Sequence, residues 1–173
     1  MNTHTVFVIS GALALALTLL VYAVRGKQRI LEIKTVVDSL WLVNYLAKGA
    51  IAYSAAAQAI LCVARNLVFY SRDKGKKWAS GSVWCWVFLL FFATTPIYTW
   101  IGPASLIPGA ASVLSTLALY QPNVQRTRWA VMLASFLCIF YQIFINNPFG
   151  ICSNCIAVLS AVIGLVRERG EKN

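Results

Sequence analysis

The chain has 173 residues, of which 60% are hydrophobic and 12% are charged, and its formal net charge is +10. A soluble domain is nearer half apolar, with about a quarter of its residues charged. One small core cannot bury so much apolar surface, so the composition excludes an ordinary soluble domain and predicts a protein embedded in lipid. The basic residues form short clusters between apolar runs rather than one continuous face, which argues against a nucleic-acid partner.

Seven apolar stretches follow one another, each near the ~20 residues that a helix needs to cross the hydrocarbon. We expect membrane spans at approximately residues 5–24, 35–47, 50–70, 83–101, 105–120, 130–145 and 149–166. The second stretch is the shortest and contains Asp38. Lys34 and Lys48 flank it and can extend to the two interfaces. The first four residues carry no Lys or Arg, so the first stretch is expected to be a retained span rather than a signal peptide.

The positions of the basic residues predict the orientation. With the N-terminus outside the cell and the C-terminus in the cytoplasm, thirteen of the fifteen Lys and Arg fall in cytoplasmic segments. Lys48 then lies outside and Arg65 lies within the third span. The opposite orientation would place nearly all of this charge on the wrong side, because cytoplasmic loops are enriched in Lys and Arg.

A shift of 98 residues superposes the first three stretches on the last three. We therefore predict an all-α membrane protein with seven transmembrane helices, arranged as two parallel three-helix repeats joined by a linker helix (3+1+3). The first repeat covers residues 1–71, the basic loop and linker helix residues 72–102, and the second repeat with its short basic tail residues 103–173. Parallel repeats are related by an axis along the membrane normal, with the binding site between them. The shift pairs Ala12 with Ala110, Leu19 with Leu117, Tyr22 with Tyr120, Ala59 with Ala157, Leu61 with Leu159, and Leu67-Val68 with Leu165-Val166.

This pattern resembles the SWEET and PQ-loop (MtN3-like) transporters, which include the nicotinamide riboside carriers. The chain resembles more closely the YgjV family of bacterial inner-membrane proteins, through the run Ala59–Arg65, the run Leu106–Ser112 and the basic tail after Val166. The resemblance implies a multi-pass protein of the bacterial inner membrane. SWEET-type carriers use an aromatic residue of the second span and an Asn of the third, and Trp41 and Asn154 fit these two roles.

The polar residues of the second, third, sixth and seventh stretches are the candidate binding residues. In the third stretch Ser54, Gln58, Cys62 and Arg65 share one helical face. Such a face forms either the wall of a water-accessible cavity or a hydrogen-bonded contact between helices. Neutral donors and acceptors among aromatic rings suit a polar, largely uncharged solute. The candidate substrate-binding residues are Trp41, Asn44, Gln58, Tyr141, Gln142 and Asn154.

Asp38 and Arg65 are the charges that the pattern places firmly within spans, at similar distances from the cytoplasmic side. An unpaired charge at this depth is expensive, so we expect a direct ion pair between the second and third helices. The pair is either a structural lock or an element of proton coupling or gating.

We predict a transporter of a small polar metabolite such as a sugar, vitamin or nucleoside, with a non-transporting membrane scaffold or partner subunit as the alternative. The sequence offers no histidine within a span, no carboxylate pair and no glycine-rich phosphate loop, so we expect neither an enzyme nor a cofactor. Cys152 and Cys155 have no second ligand pair with which to hold zinc. The expected partners are the lipid bilayer and the solute, and a homo-oligomer is compatible with the sequence.

Overall fold

A computed structural model describes residues 2–23, 27–120 and 124–170, and the described chain contains seven α-helices and no strand. This confirms the prediction of an all-helical fold. Short 3-10 turns at Ala50–Ala52, Lys77–Ala79 and Pro103–Ser105 precede the third, fourth and fifth helices. The helices are α1 (Thr3–Ala23), α2 (Lys27–Lys48), α3 (Tyr53–Asp73), α4 (Val83–Tyr98), α5 (Leu106–Tyr120), α6 (Val124–Phe144) and α7 (Pro148–Gly170).

Helix α2 starts at Lys27, eight residues before the apolar stretch predicted to begin at residue 35. Hydropathy marks only the part of a helix that suits hydrocarbon, whereas Lys, Gln, Arg and Glu favour the helical backbone while preferring a polar solvent. Helix α2 ends before Gly49, whose φ of +74° is readily adopted by a residue without a Cβ. Asn146, with a φ of +51°, occupies the corresponding turn after α6.

Three described segments are long and apolar enough to cross a membrane by length and composition: Thr3–Val21, Ala50–Asp73 and Pro103–Tyr120. Three further apolar helical segments are shorter, at Val83–Tyr98, Trp129–Phe144 and Pro148–Ile163.

Polar and apolar side chains are distributed in the opposite way to a soluble helical bundle. Trp86 is 71% exposed and Ile163 is 67% exposed, whereas Asn44, Arg65 and Asn66 are completely buried. In water such a surface would be an aggregation hazard, but apolar lipid tails solvate it. The buried polar groups are then held between helices, where other protein groups can bond to them.

The helices pack in two groups that contact each other along two lines. Helix α2 packs against α1 and α3, and α6 packs against α5 and α7. Helix α1 also packs against α7, and α3 packs against α5. These contacts close a ring of six helices. Helix α4 lies against α3 and α5 and presents exposed apolar side chains on its other side.

A proline inside α4 creates the contact that joins α3, α4 and α5. Pro96 has no N–H group, so the carbonyl of Phe92 lacks the helical donor it would otherwise have. The Gln58 side chain of α3 supplies that donor, with Nε2 3.2 Å from the Phe92 carbonyl oxygen. From α5, Gly109 packs so closely that an added Cβ would lie 2.5 Å from Pro96 Cγ and 3.0 Å from the Phe92 oxygen.

We expect Gly109→Ala to destabilise the protein by about 1–3 kcal/mol, because neither the proline ring nor the helix backbone can easily move away from the new methyl group. An ordinary Gly→Ala change inside a helix has the opposite sign. The measurement is thermal unfolding of the purified protein in detergent.

Gly81→Ala is the matched control, since the nearest heavy atom to a Cβ there is 3.9 Å away. If the two variants unfold at the same temperature, the close contact of α5 with α4 is not a stability determinant.

Candidate functional site

A completely buried arginine connects α3 to α5. Arg65 donates from NH1 to the hydroxyl oxygens of Ser115 at 2.9 Å and Thr116 at 3.0 Å. Both hydroxyl groups donate in turn to the backbone carbonyl of Ser112, at 3.0 Å and 2.7 Å. The guanidinium carbon also lies 5.5 Å from the centre of the Phe92 ring. Neutral acceptors and a ring face therefore surround this side of the charge.

The other side of the guanidinium faces Asn66 rather than a carboxylate. Arg65 donates from Nε and NH2 to Asn66 Oδ1, at 3.3 Å and 3.0 Å. Asn66 then donates from Nδ2 to Asp38 Oδ2 at 2.7 Å. The other carboxylate oxygen of Asp38 lies 3.4 Å from Lys34 Nζ, one turn earlier on α2. We refer to Asp38, Arg65, Asn66, Ser115 and Thr116 as the Arg65 network.

This geometry corrects the expectation of a direct Asp38–Arg65 ion pair. Among the described residues, the ion pair that Asp38 makes within 4.0 Å is with Lys34. The amide of Asn66 stands between the two charges because it can accept from a guanidinium and donate to a carboxylate at once. Such a relay compensates both charges and also satisfies a buried amide, which would otherwise need partners of its own.

Asn44 holds α1, α2 and α7 together near the start of α1, at the opposite end of the helix ring from Arg65. Its Nδ2 donates to the Phe7 carbonyl oxygen at 2.8 Å, and its Oδ1 accepts from Asn147 Nδ2 at 2.8 Å. Asn147 Oδ1 accepts from the backbone N–H of Gly150 at 3.3 Å, as an N-cap of α7 does. Asn44 is completely buried and its amide is bonded to protein on both sides. In this structure it acts as an interhelical contact.

Three other predicted residues lie close together between α2 and α6. Gln142 Nε2 donates to the Tyr45 hydroxyl oxygen at 2.7 Å. The Trp41 ring stacks on the Tyr45 ring with centroids 5.9 Å apart. Tyr141 donates to the Ile51 carbonyl oxygen at 3.4 Å and packs in a buried cluster that Tyr45 adjoins. The structure thus places Trp41, Tyr141 and Gln142 around Tyr45. Tyr45 contacts Trp41 in its own helix group and Gln142 in the other group.

The remaining two predicted residues make contacts elsewhere. Gln58 bonds to the Phe92 carbonyl oxygen of α4, as described above. Asn154 donates to the carbonyl oxygen of Gly150 one turn earlier in its own helix, at 2.8 Å. The five cysteines are free thiols.

Among the residues that the structure describes, two buried amide oxygens have no hydrogen-bond partner. Oε1 of Gln58 and Oε1 of Gln142 are both buried, and the residues are 3% and 2% exposed. Each amide has used its NH2 group on a protein acceptor and retains a carbonyl oxygen that can accept. A buried acceptor without a donor costs free energy, so each oxygen is a place where water or a solute would be stabilised.

Asn66 and Asn147 are not among the residues predicted from the sequence, although both have a recognisable signal there. Asn66 follows Gln58 and Cys62 at intervals of four residues, so it continues the polar face of α3 beyond Arg65. Asn147 directly precedes Pro148, and Asn before Pro is typical of a helix start.

We expect Asn66→Ala to destabilise the protein by about 2–4 kcal/mol, because it leaves a buried guanidinium and a buried carboxylate without their shared partner. Asn154→Ala is the matched control and should cost less than about 1 kcal/mol, since it removes one bond within a single helix. Both are measured by thermal or denaturant unfolding in detergent. Equal losses would show that Asn66 does not join the charges.

The relay also predicts how the charges couple. Asp38→Asn and Arg65→Gln should show a coupling energy of about 0.5–3 kcal/mol in a double-mutant cycle. Repeating the cycle in the Asn66→Ala background should reduce that coupling, because the connection passes through the amide. A coupling unchanged by Asn66→Ala would instead indicate a direct interaction.

Comparison with protein-family models matches residues 7–172 to Imp-YgjV, described as a bacterial inner membrane protein. Comparison with curated proteins finds no match, and comparison with solved structures finds none either. The family match covers all but the first six residues and the last one. It agrees with the exposed apolar surface and the buried polar network described above. The chain belongs to the Imp-YgjV family of bacterial inner membrane proteins.

Proposed function

We propose that the protein is a membrane carrier, similar to the SWEET transporters, for a small polar, largely uncharged metabolite such as a sugar, vitamin or nucleoside. In this proposal the chain crosses the bilayer seven times, with the N-terminus outside and the C-terminus in the cytoplasm. The groups α1–α3 and α5–α7 are parallel bundles joined by α4, and they rock around a solute held between them. The proposal includes no catalytic step and no cofactor. The solute would contact Trp41, Gln58, Tyr141 and Gln142 directly. Asn44 and Asn154 would contact it only after leaving their present protein partners.

The helix boundaries support two equivalent bundles. A shift of 98 residues moves Lys27–Lys48 to 125–146, close to Val124–Phe144, and moves Tyr53–Asp73 to 151–171, close to Pro148–Gly170. The contacts between the bundles correspond in the same way, because α1 packs on α7 as α5 packs on α3.

Threonines at equivalent positions accept hydrogen bonds at these two interfaces, although from donors that the shift does not relate. Thr18 accepts from Ser153 Oγ at 3.4 Å across the α1–α7 contact. Thr116, 98 residues later, accepts from Arg65 across the α5–α3 contact. Both threonines donate at 2.7 Å to the carbonyl oxygen four residues earlier in their own helix. A shared local geometry at equivalent positions supports a duplicated unit.

The observation that carries the proposal is the pair of buried carbonyl oxygens, Oε1 of Gln58 and Oε1 of Gln142, that have no donor. Interhelical contact alone would favour amides bonded on both sides, as Asn44 is. A hydroxyl-rich or N–H-bearing solute supplies donors, and the Trp41–Tyr45 stack supplies an aromatic face beside Gln142. These groups are neutral, which favours an uncharged solute over an ion.

A membrane scaffold remains the alternative, and the bonded residues favour it. Asn44 and Arg65 direct their donors to protein atoms, which is what interhelical contacts without transport require. A scaffold has no need for a bound solute, so ligand binding separates the two functions.

The proposed topology predicts that reporters fused at the C-terminus and within residues 72–77 are both cytoplasmic, because most basic residues then lie inside. A reporter inserted after Lys48 should be outside. Paired alkaline phosphatase and green fluorescent protein fusions measure this. An outside signal from either of the first two sites would rule out seven crossings in this orientation.

The proposed solute class predicts that at least one member of a panel of sugars, vitamins and nucleosides raises the unfolding temperature of the purified protein. A ligand present at 100 times its Kd stabilises by about 2.7 kcal/mol. Gln58→Leu and Gln142→Leu should abolish this shift, because each removes an acceptor in the interior.

Gln28→Leu is the matched control, because Gln28 is exposed and donates to the Asp73 carbonyl oxygen at 3.1 Å. It should leave the ligand response unchanged. A panel without any responding compound favours the scaffold, and a response that survives both interior substitutions places the solute elsewhere.

A further inference from the structure

A lysine at the end of α2 bonds to the turn that follows α6. Lys48, the last residue of α2, donates from Nζ to the Asn146 carbonyl oxygen at 2.7 Å, in the turn after α6. The same ammonium lies 4.5 Å from the centre of the Phe7 ring near the start of α1. We call Lys48, Phe7 and Asn146 the Lys48 latch. It connects three helices at the end of the ring where Phe7 also packs edge-on against Phe149, with ring centroids 5.7 Å apart.

The position of this contact follows from the repeat. Lys48 and Asn146 are separated by 98 residues, so each occupies the equivalent position of its own three-helix group. Two positions related by a two-fold axis can touch only where that axis passes between them. Tyr45 and Gln142, separated by 97 residues, are bonded on the same line, and Tyr45 lies about one helical turn before Lys48 on α2. The Lys48 latch therefore lies on the axis between the two groups, closer to the helix ends than the Tyr45–Gln142 pair.

The electrostatics of this end explain why a cation is placed there. Helices α2 and α6 both terminate here, and helix C-termini carry partial negative charge and unpaired carbonyl groups. Two such ends near one axis repel each other. The Lys48 ammonium offsets both, through its own helix end and through the Asn146 carbonyl, and its charge also favours the Phe7 ring face.

We infer that the Lys48 latch is a gate that closes the space between the two helix groups at the end bearing the chain's N-terminus. In the structure the Lys48–Asn146 bond is formed. Solute entry from this face requires the Lys48–Asn146 bond to break first. The Asn44–Asn147 and Tyr45–Gln142 bonds beneath it must then open as the ends of α2 and α6 separate. The inference rests on the carrier proposed above and on its axis, but it names a contact whose opening is measurable without any solute.

The test uses Cys138, which precedes Gln142 by one turn on the same face of α6, as the reporter of access. The other four cysteines are replaced by alanine, and a membrane-impermeant maleimide is applied to right-side-out membrane vesicles. Lys48→Met should label about tenfold faster than its Lys48 parent, because loss of a charge-assisted hydrogen bond shifts the opening equilibrium. Lys48→Arg retains a donor and should label at nearly the parental rate.

Two controls keep a loosened fold from imitating an open gate. Lys77→Met removes a lysine from the loop before α4 and should leave labelling unchanged. In inside-out vesicles, Lys48→Met should label at the parental rate, since the latch closes only one face. Equal rates for Lys48→Met and its parent in right-side-out vesicles overturn the gate, as does equal acceleration from both faces.

The ligand panel and the labelling assay can fail independently. If Lys48→Met labels faster but no solute of the panel stabilises the protein, the gate is supported and the proposed carrier function is not. A responding solute with unchanged labelling supports the carrier and rejects Lys48 as its gate.

Discussion

The packing of α2, α3 and α5 depends on one completely enclosed guanidinium. Arg65 carries five N–H donors and a charge, and in an apolar medium neither can be left without partners. Helix α5 provides hydroxyl acceptors at Ser115 and Thr116, and α2 provides the compensating carboxylate of Asp38 through Asn66. All of these hydrogen bonds can form together only when the three helices have one particular relative arrangement. These polar contacts join the first helix group to the second, in addition to the apolar clusters that span both groups. Burial of apolar surface has little driving force between helices in lipid, so the polar contacts specify the arrangement.

Close approach of the helices is what brings the other polar groups within bonding distance. A Cβ at Gly11 would lie 2.9 Å from Asn44 Nδ2, and one at Gly150 would lie 2.3 Å from Gln142 Oε1. Only glycine leaves room for these amides at the helix contacts. Small residues thus act together with the polar ones, because each interhelical hydrogen bond needs a backbone that another helix can approach. Gln142 differs from the fully bonded amides. Its NH2 group donates to Tyr45, but its carbonyl oxygen has no hydrogen-bond donor.

Half of the candidate binding residues lie together in the structure, and the sequence did not predict their contacts. Trp41, Tyr141 and Gln142 were identified as polar and aromatic positions, and they do gather around Tyr45. Gln58 was assigned to the same site, yet its amide bonds to a carbonyl freed by Pro96, a partner in a helix 34 residues away. Helical periodicity specifies which face a side chain is on. It does not specify which neighbouring helix that face meets, because this depends on all the other interfaces at once.

By itself, the sequence determined the helices, their order and the membrane environment, since the length of an apolar run is a local property that can be read residue by residue. Hydropathy underestimated the length of α2, which starts at Lys27, because charged residues can extend a helix beyond the hydrocarbon. Only the tertiary structure decided the partners of the polar groups. Asn66 lies between Asp38 and Arg65, and Lys48 meets Asn146, because these bonds need atoms from distant helices within about 3 Å. That distance is set by how the helices cross, which no single segment of the chain encodes.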